Sequence, residues 1–254
     1  SNGLMVAAQI VGFRTQRMLE VLGVPRSTLD VMSAVDYHHA RGNPRAIAFN
    51  NEVDLDTIEN ARWIVDPYRL FNCSRETDGA AALILVSAER ARDLKSKPVY
   101  LLGCTQGNQG PGGMCWENYG EEDFNLAGFS SVSKRLYDQT GIKPSDVDVA
   151  QIYENFSGLG VAAVIQHGFC TPEQSGEFFS LENLTAPNGS LPINTDGGCL
   201  ADGFVHGIGG CIEAVRQLRN ESTNQVPDAS ISLITGGPGS TLVSSALLGT
   251  SDTL

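Results

Sequence analysis

The stretch DVDVAQIYENFSGLGVAAVIQHG, residues 146–168, carries two periodicities in succession. Val147, Val149 and Gln151 alternate with Asp146, Asp148 and Ala150, the two-residue period of a strand. The alternation breaks at Tyr153-Glu154-Asn155, and the segment that follows reads as a helix for which Ser157 is a candidate cap. A strand that passes through a short turn into a helix is the building unit of a layered α/β domain.

Working outward, the same unit recurs. NLAGFSSVSKRLYDQTG (125–141) and GGCIEAVRQLRN (209–220) read as helices, and ASISLITGG (229–237) as a strand. AALILVS (81–87) is a continuous apolar run, the pattern of a strand buried on both faces, with a helical AERARDL after it. PVYLLGCT (98–105) is a further strand. Near the start, apolar side chains at helical spacing span residues 3–22 with Gly23 as a stop. A second helix from Ser27-Thr28-Leu29-Asp30 runs to about Arg41. Residues 43–80 form a long polar excursion, and excursions of that length in a compact domain usually contact a ligand or a partner.

The 254 residues are 41% hydrophobic and 18% charged, with a net charge of −12. Such acidity argues against nucleic-acid or anionic-membrane binding. No apolar run approaches the roughly 20 residues of a membrane span. The six cysteines (73, 104, 115, 170, 199, 211) show neither CxxC pairing nor zinc-ligand spacing. They predict reduced thiols, a cytoplasmic compartment and no metal site. A G-x-S-x-G elbow and an H-E-x-x-H helix are both missing. The glycines of QGNQGPGGMCWENYG (106–120) neither follow a short strand-to-helix turn nor open a helix, so a dinucleotide fingerprint is not met.

Three turns sit where an α/β sheet holds ligands, at strand ends. In the first, Tyr153 and Glu154 serve either as a hydrogen-bonded corner with a helix-N-terminal carboxylate or as a site. The second, NTDGGCLADGFVHGIGGCIEAVRQLR (194–219), packs six glycines ahead of a helix, and backbone amides there can bind an oxyanion. Its His206 is either structural or a proton-transfer group. The third is ITGGPGS (234–240), a strand end followed by glycines.

NPRA (43–46), VDPYRLFNCSRETDGAAALILVS (65–87), IYENFSG (152–158), GGCLADGFVHGIGG (197–210) and ITGGPGS occur in the order found in the thiolase superfamily. More closely the chain resembles the sterol-carrier and lipid-transfer-protein-like branch, which includes steroid side-chain aldolases. The resemblance implies an α/β fold of thiolase-like α-β-α-β-α layers, incomplete in its first half. Residues 1–96 would be the remainder of an N-terminal domain with its loop excursion, and 97–254 the C-terminal domain. The acyl-carrying cysteine of the family precedes Ser1 in such an alignment. The chain is then expected to be a portion of a longer polypeptide or to have its other half in a separate chain.

The resemblance also aligns residues. Asn-Glu-Ala-Phe of thiolases is Tyr153-Glu154-Asn155-Phe156, and Gly-His-Pro is Gly203-Phe204-Val205. The second cysteine aligns with Leu233. Phenylalanine and leucine cannot move protons, so Claisen chemistry is not expected. The aldolase-like branch carries tyrosine at the first motif and a second near Phe204, of which only Tyr153 is present. The expectation is an acyl-CoA enzyme that acts on a carbon–carbon bond, cleaving a β-hydroxyacyl-CoA of a steroid or lipid side chain by a retro-aldol reaction. Tyr153 and His206 are the expected catalytic residues, with Asn155, Gly203, Phe204, Gly236 and Gly237 against substrate. Coenzyme A enters as the thioester substrate and no cofactor is bound. A homodimer and an OB-fold/zinc-ribbon acyl-CoA-binding partner are implied. The alternatives are a catalytically silent acyl-CoA or lipid-transfer protein, or an acyltransferase completed by the missing half.

Overall fold

The computed structural model of the protein describes residues 3–107, 128–237 and 242–254. Most of the glycine-rich loop 106–120, Cys115 and the end of ITGGPGS therefore lie outside the described residues. Helix α1 (Ala7–Leu22) buries Ala8, Val11 and Met18 and stops at Gly23, whose φ of 68° suits glycine. Helix α2 (Ser27–Gly42) is buried on almost every side. The cap expected at Ser27 is not formed. Instead Thr28 Oγ1 donates to the Pro25 carbonyl at 2.8 Å, and Arg26 pairs with Asp30 one turn on.

The excursion contains a short helix, α3 (Leu55–Glu59), and a hairpin of β1 (Trp63–Val65) with β2 (Tyr68–Arg69). The Arg69 guanidinium lies 4.0 Å from the centroid of the Trp63 ring. The strand expected at 81–87 is not one. It pairs with no strand among the described residues, and Ile84 and Leu85 are 90% and 80% exposed. A run apolar on both faces needs sheet neighbours and covering layers, and the described residues supply neither. Ile84→Ser is accordingly expected to leave the denaturant midpoint of this chain within about 0.5 kcal/mol of the wild type. A larger loss would show that Ile84 is covered in solution.

After the single turn α4 (Ala88–Arg92), strand β3 (Tyr100–Gly107) is followed by α5 (Phe129–Thr140), β4 (Val149–Gln151) and α6 (Ser157–Gln166). Two short helices, α7 (Ser175–Phe178) and α8 (Leu181–Leu184), precede a π-helical turn at Gly198–Asp202. Helix α9 (Ile208–Arg219), β5 (Ile231–Gly236) and β6 (Val243–Gly249) complete the chain.

The four long-range strands form one mixed sheet in the order β3-β6-β5-β4, with β4 parallel to β5 and β6 antiparallel to both its neighbours. Helix α5 covers β3 and β6, burying Val132 and Leu136 with Leu233 and Leu247. On the other face α9 lies over β4 and β5, with Leu218, Val149 and Leu248 between them. Strand β6 was not expected, because its alternation is carried by Ser244 and Ser245 as much as by apolar residues. All ten residues of α6 are buried, wedged among α1, α2 and α5. Ser157 does not cap it: Phe156 holds the cap position, and the Ser157 hydroxyl has no partner among the described residues.

Candidate active site

Because β4 and β5 run parallel, their carboxyl ends emerge side by side, and the Tyr153 turn meets the end of β5. The Tyr153 amide donates to Thr235 Oγ1 at 2.8 Å, and the Ile152 amide to Asn194 Oδ1 at 2.7 Å. Helix α9 begins beneath the tyrosine. A Cβ on Gly207 (φ 82°) would lie 2.6 Å from the ring, so only glycine admits this approach. Tyr153 is 4% exposed, and its hydroxyl has no hydrogen-bond partner among the described residues.

Phe204 packs edge-on against Tyr153 at 6.3 Å between centroids, and His206 against Phe204 at 4.8 Å. Three cavities surround this group. A pocket of about 20 Å³ is lined by Tyr153, Glu154, Cys199, Gly203, Gly207 and Thr235, among others. One of about 200 Å³ lies on the far side of Phe204, between it and Arg75, Glu76 and Thr77. The largest, about 490 Å³, is bounded by His206, Cys211, Ile234, Thr235 and Gly236 with strands β3 and β6.

The structure thus brings Tyr153, Gly203, Phe204 and His206 together and sets Gly236 on the same cavity as His206. Asn155 and Gly237 line none of the three cavities. Asn155 is 8% exposed, and its carbonyl accepts the Ser74 amide at 2.9 Å. The Gly203 amide, expected to be free for an oxyanion, donates to the Gly198 carbonyl at 3.3 Å and closes the π turn. Leu233 is wholly buried on the α5 face of the sheet. Its neighbour Ile234, with Thr235 and Gly236 after it, lines the cavity in its place.

Apart from Glu154, read as part of the Tyr153 turn, sequence reasoning passed over the carboxylates. Asp36 of α2, Glu154, Asp196 and Glu213 are all buried, and Asp202 is half-buried beside them. Asn194 Nδ2 donates to Asp36 Oδ1 at 3.0 Å, the Gly198 amide to Asp196 Oδ1 at 2.9 Å, and Asn43 Nδ2 to Asp202 Oδ1 at 3.0 Å. Burial pushes Glu154, Asp202 and Glu213 each up to about 7, and Asp36 well above the carboxylate range. The one available signal was polar residues at helix positions flanked by apolar ones, such as Asp36 between Val35 and Tyr37. Burial, followed by the Cys199 and Glu154 charges, pushes the Tyr153 phenol up as well. The site therefore favours a neutral phenol that donates a proton, and a tyrosinate base is disfavoured. Among the described residues, no group of three His, Cys, Asp or Glu is placed to hold a metal ion, and five cysteines are free.

These raised carboxyls set a pH dependence. Through these carboxyls the folded chain binds more protons than the unfolded chain between the ordinary carboxyl value, near 4.5 for Glu, and about 7, while His39 and His167, which burial pushes down to about 3 and about 4, act in the opposite sense below pH 6.5. Stability contributed by the cluster is present below that window and is lost as pH rises through it. A melting temperature that falls from pH 5 to 7.5 is expected. The fall should shrink in Glu213→Gln.

The family described as Thiolase C-terminal domain-like matches residues 116–249. A steroid side-chain-cleaving aldolase of Thermomonospora curvata is 36% identical over 237 residues, which is 93% of this chain and 60% of the relative. A 17-hydroxy-3-oxo-4-pregnene-20-carboxyl-CoA lyase of Mycobacterium tuberculosis is 34% identical over 94% of this chain and 61% of its own length. Among solved structures, the Ltp2-ChsH2(DUF35) aldolase superposes with a TM-score of 0.92 at 35% identity, covering 98% of this chain and 64% of that one. The chain therefore spans a little under two thirds of these relatives. No helix of the described residues is long and apolar enough to cross a membrane.

Proposed function

The chain belongs to the thiolase superfamily, in its sterol-carrier-protein-like branch, and on that premise we propose that it contributes the proton-transfer half of an acyl-CoA aldolase. The observation that carries this reading is the Tyr153 hydroxyl, buried, without a hydrogen-bond partner among the described residues, and set against Phe204 and the start of α9. The relatives named for aldolase and CoA-lyase activity support it.

The substrate is a β-hydroxyacyl-CoA with a steroid- or lipid-type acyl group. A base takes the β-hydroxyl proton, and the electron pair of the O–H bond becomes the new carbonyl π bond. The α–β carbon–carbon bond breaks, and its electrons pass to the α-carbon as a thioester enolate. Protonation of that carbon completes an acyl-CoA and a free carbonyl product. Tyr153, held neutral by burial, donates its proton to the enolate. His206, in the left-handed region (φ 50°) on the rim of the largest cavity, is the chain's candidate for accepting the hydroxyl proton. Coenzyme A is part of the substrate in this scheme.

By analogy with the Ltp2-ChsH2(DUF35) assembly, a DUF35-type acyl-CoA-binding partner is proposed, together with a homodimer in the cytoplasm. Turnover of a β-hydroxyacyl-CoA series by the natural full-length polypeptide, with and without that partner, tests the proposal. Binding without cleavage under both conditions would replace it with a silent acyl-CoA carrier.

A further inference from the structure

Behind Tyr153 two carboxyl groups meet. Asp36, in the middle of α2, and Glu154, on the turn between β4 and α6, are both fully buried. Asn194 anchors the first, donating from Nδ2 to Asp36 Oδ1 at 3.0 Å while its Oδ1 accepts the Ile152 amide. The Cys199 amide anchors the second by donating to Glu154 Oε1. The other oxygen of each group, Asp36 Oδ2 and Glu154 Oε2, is buried and receives nothing from the backbone or side-chain donors of the described residues.

Both carboxyls also close on Gly198, where an added Cβ would lie 2.7 Å from Asp36 Oδ2 and nearer still to Glu154 Oε1. The two groups are within hydrogen-bonding reach of each other. The titratable groups that act on the pair are acids, Tyr37 on α2, Tyr153 on the turn, Asp196 on the approach to the π turn and Cys199 within it, and His39, three residues on from Asp36 along α2, is pushed down by burial and stays neutral. Arg45 and Arg216 act on Asp196 and Asp202, and Arg75 on Tyr37.

Two carboxylates cannot both stay ionised in such a place, whereas an acid facing a carboxylate makes a short, strong O–H···O⁻ bond. We propose that Asp36 and Glu154 are one positioning unit, a carboxylic acid–carboxylate pair that shares a single proton and ties the Tyr153 turn to the Cys199 segment. The proton sits on Asp36 and is donated to Glu154. Neither group touches substrate. The pair acts through the backbone of Tyr153 on one side and of Cys199 on the other. Loss of the proton sets two negative charges against each other and drives the two segments apart. The pair's importance for turnover rests on the proposed role of Tyr153, and the shared proton does not.

The test combines spectroscopy with kinetics on the full-length polypeptide, using Asp36→Asn, Glu154→Gln and the double variant. At neutral pH the infrared difference between wild type and Asp36→Asn should contain the carbonyl band of one protonated carboxyl, and in Glu154→Gln that band should remain but shift, because the acid no longer faces a carboxylate. The double variant should lose no second band. An unchanged protonated-carboxyl band, in both intensity and position, in both single variants would overturn the proposal. If the variants do not fold, carboxyl-carbon resonances of the wild type decide the matter: Asp36 is expected at its protonated position at pH 7, and ionised positions for both groups would overturn it.

For positioning, kcat should fall as pH rises above neutrality in the wild type, and this limb should vanish in Glu154→Gln with KM unchanged. An identical profile in the variant overturns the positioning role. An active Tyr153→Phe would instead remove the tyrosine's role while the spectroscopic proton remains.

Discussion

Tyr153→Phe is expected to lower turnover of a β-hydroxyacyl-CoA by about 100- to 10,000-fold, the range that general acid catalysis supplies. The fold should not notice the change. The Tyr153 hydroxyl bonds to nothing among the described residues, so its removal leaves no donor or acceptor orphaned. The ring contacts with Phe204 and Gly207 are retained by phenylalanine. Circular dichroism and the melting temperature should therefore match the wild type while kcat collapses. KM is expected to move little, because the lost interaction is one that strengthens as the enolate forms. A fully active Tyr153→Phe, assayed with the partner chain present, would exclude the tyrosine as the acid and shift attention to His206.

That prediction depends on a point the sequence could not settle. From residue types alone, a tyrosine acting near neutrality needs a neighbouring cation or hydrogen bonds that lower its pKa. The structure supplies the opposite surroundings: burial, the Cys199 thiol and the Glu154 carboxyl. The direction of proton transfer follows from these neighbours: Glu154 is next to the tyrosine in the chain, whereas Cys199 arrives from the π-helical turn, far along it.

Elements whose signal is local were legible. The helices around 7–22, 27–42 and 208–219 and the strands at 100–107 and 231–236 are marked by period, by Gly23, and by glycines at strand ends. Two failures share one cause. The 81–87 run has the composition of a buried strand, yet whether it becomes one depends on partners that a one-dimensional pattern does not contain. Conversely, β6 is a strand because β3 and β5 lie on either side of it, despite its serines. The same holds in the site. Tyr153, Phe204 and His206 were within reach of motif reasoning, whereas Asp36 belongs to a helix whose periodicity suggests only packing. The alignment that set Leu233 at the second cysteine's place missed Ile234 on the cavity by one residue, a shift that in a strand exchanges the two faces.

The second large effect is expected from Gly198→Ala, and it follows from the crowding of the same carboxyls. Gly198 has φ 58°, a conformation that costs a residue with a Cβ about 1–2 kcal/mol. The added methyl would also point into Asp36 and Glu154, which Asn194 and the Cys199 amide hold in place. Overpacking of this kind costs about 1–3 kcal/mol, so a total loss of about 2–5 kcal/mol is expected. Denaturant unfolding should show it as a lowered midpoint with an unchanged slope. Gly203→Ala is the control, at the other end of the π turn. Its backbone is extended (φ 168°), and the nearest atom to an added Cβ is Ile47 Cδ1 at 3.6 Å. A change there should stay within about 0.5 kcal/mol. Equal losses at the two glycines would mean that the carboxyl pair yields to an intruding methyl. Unequal losses in the expected order would mean that it is held rigidly from both sides, as the anchoring of Tyr153 requires.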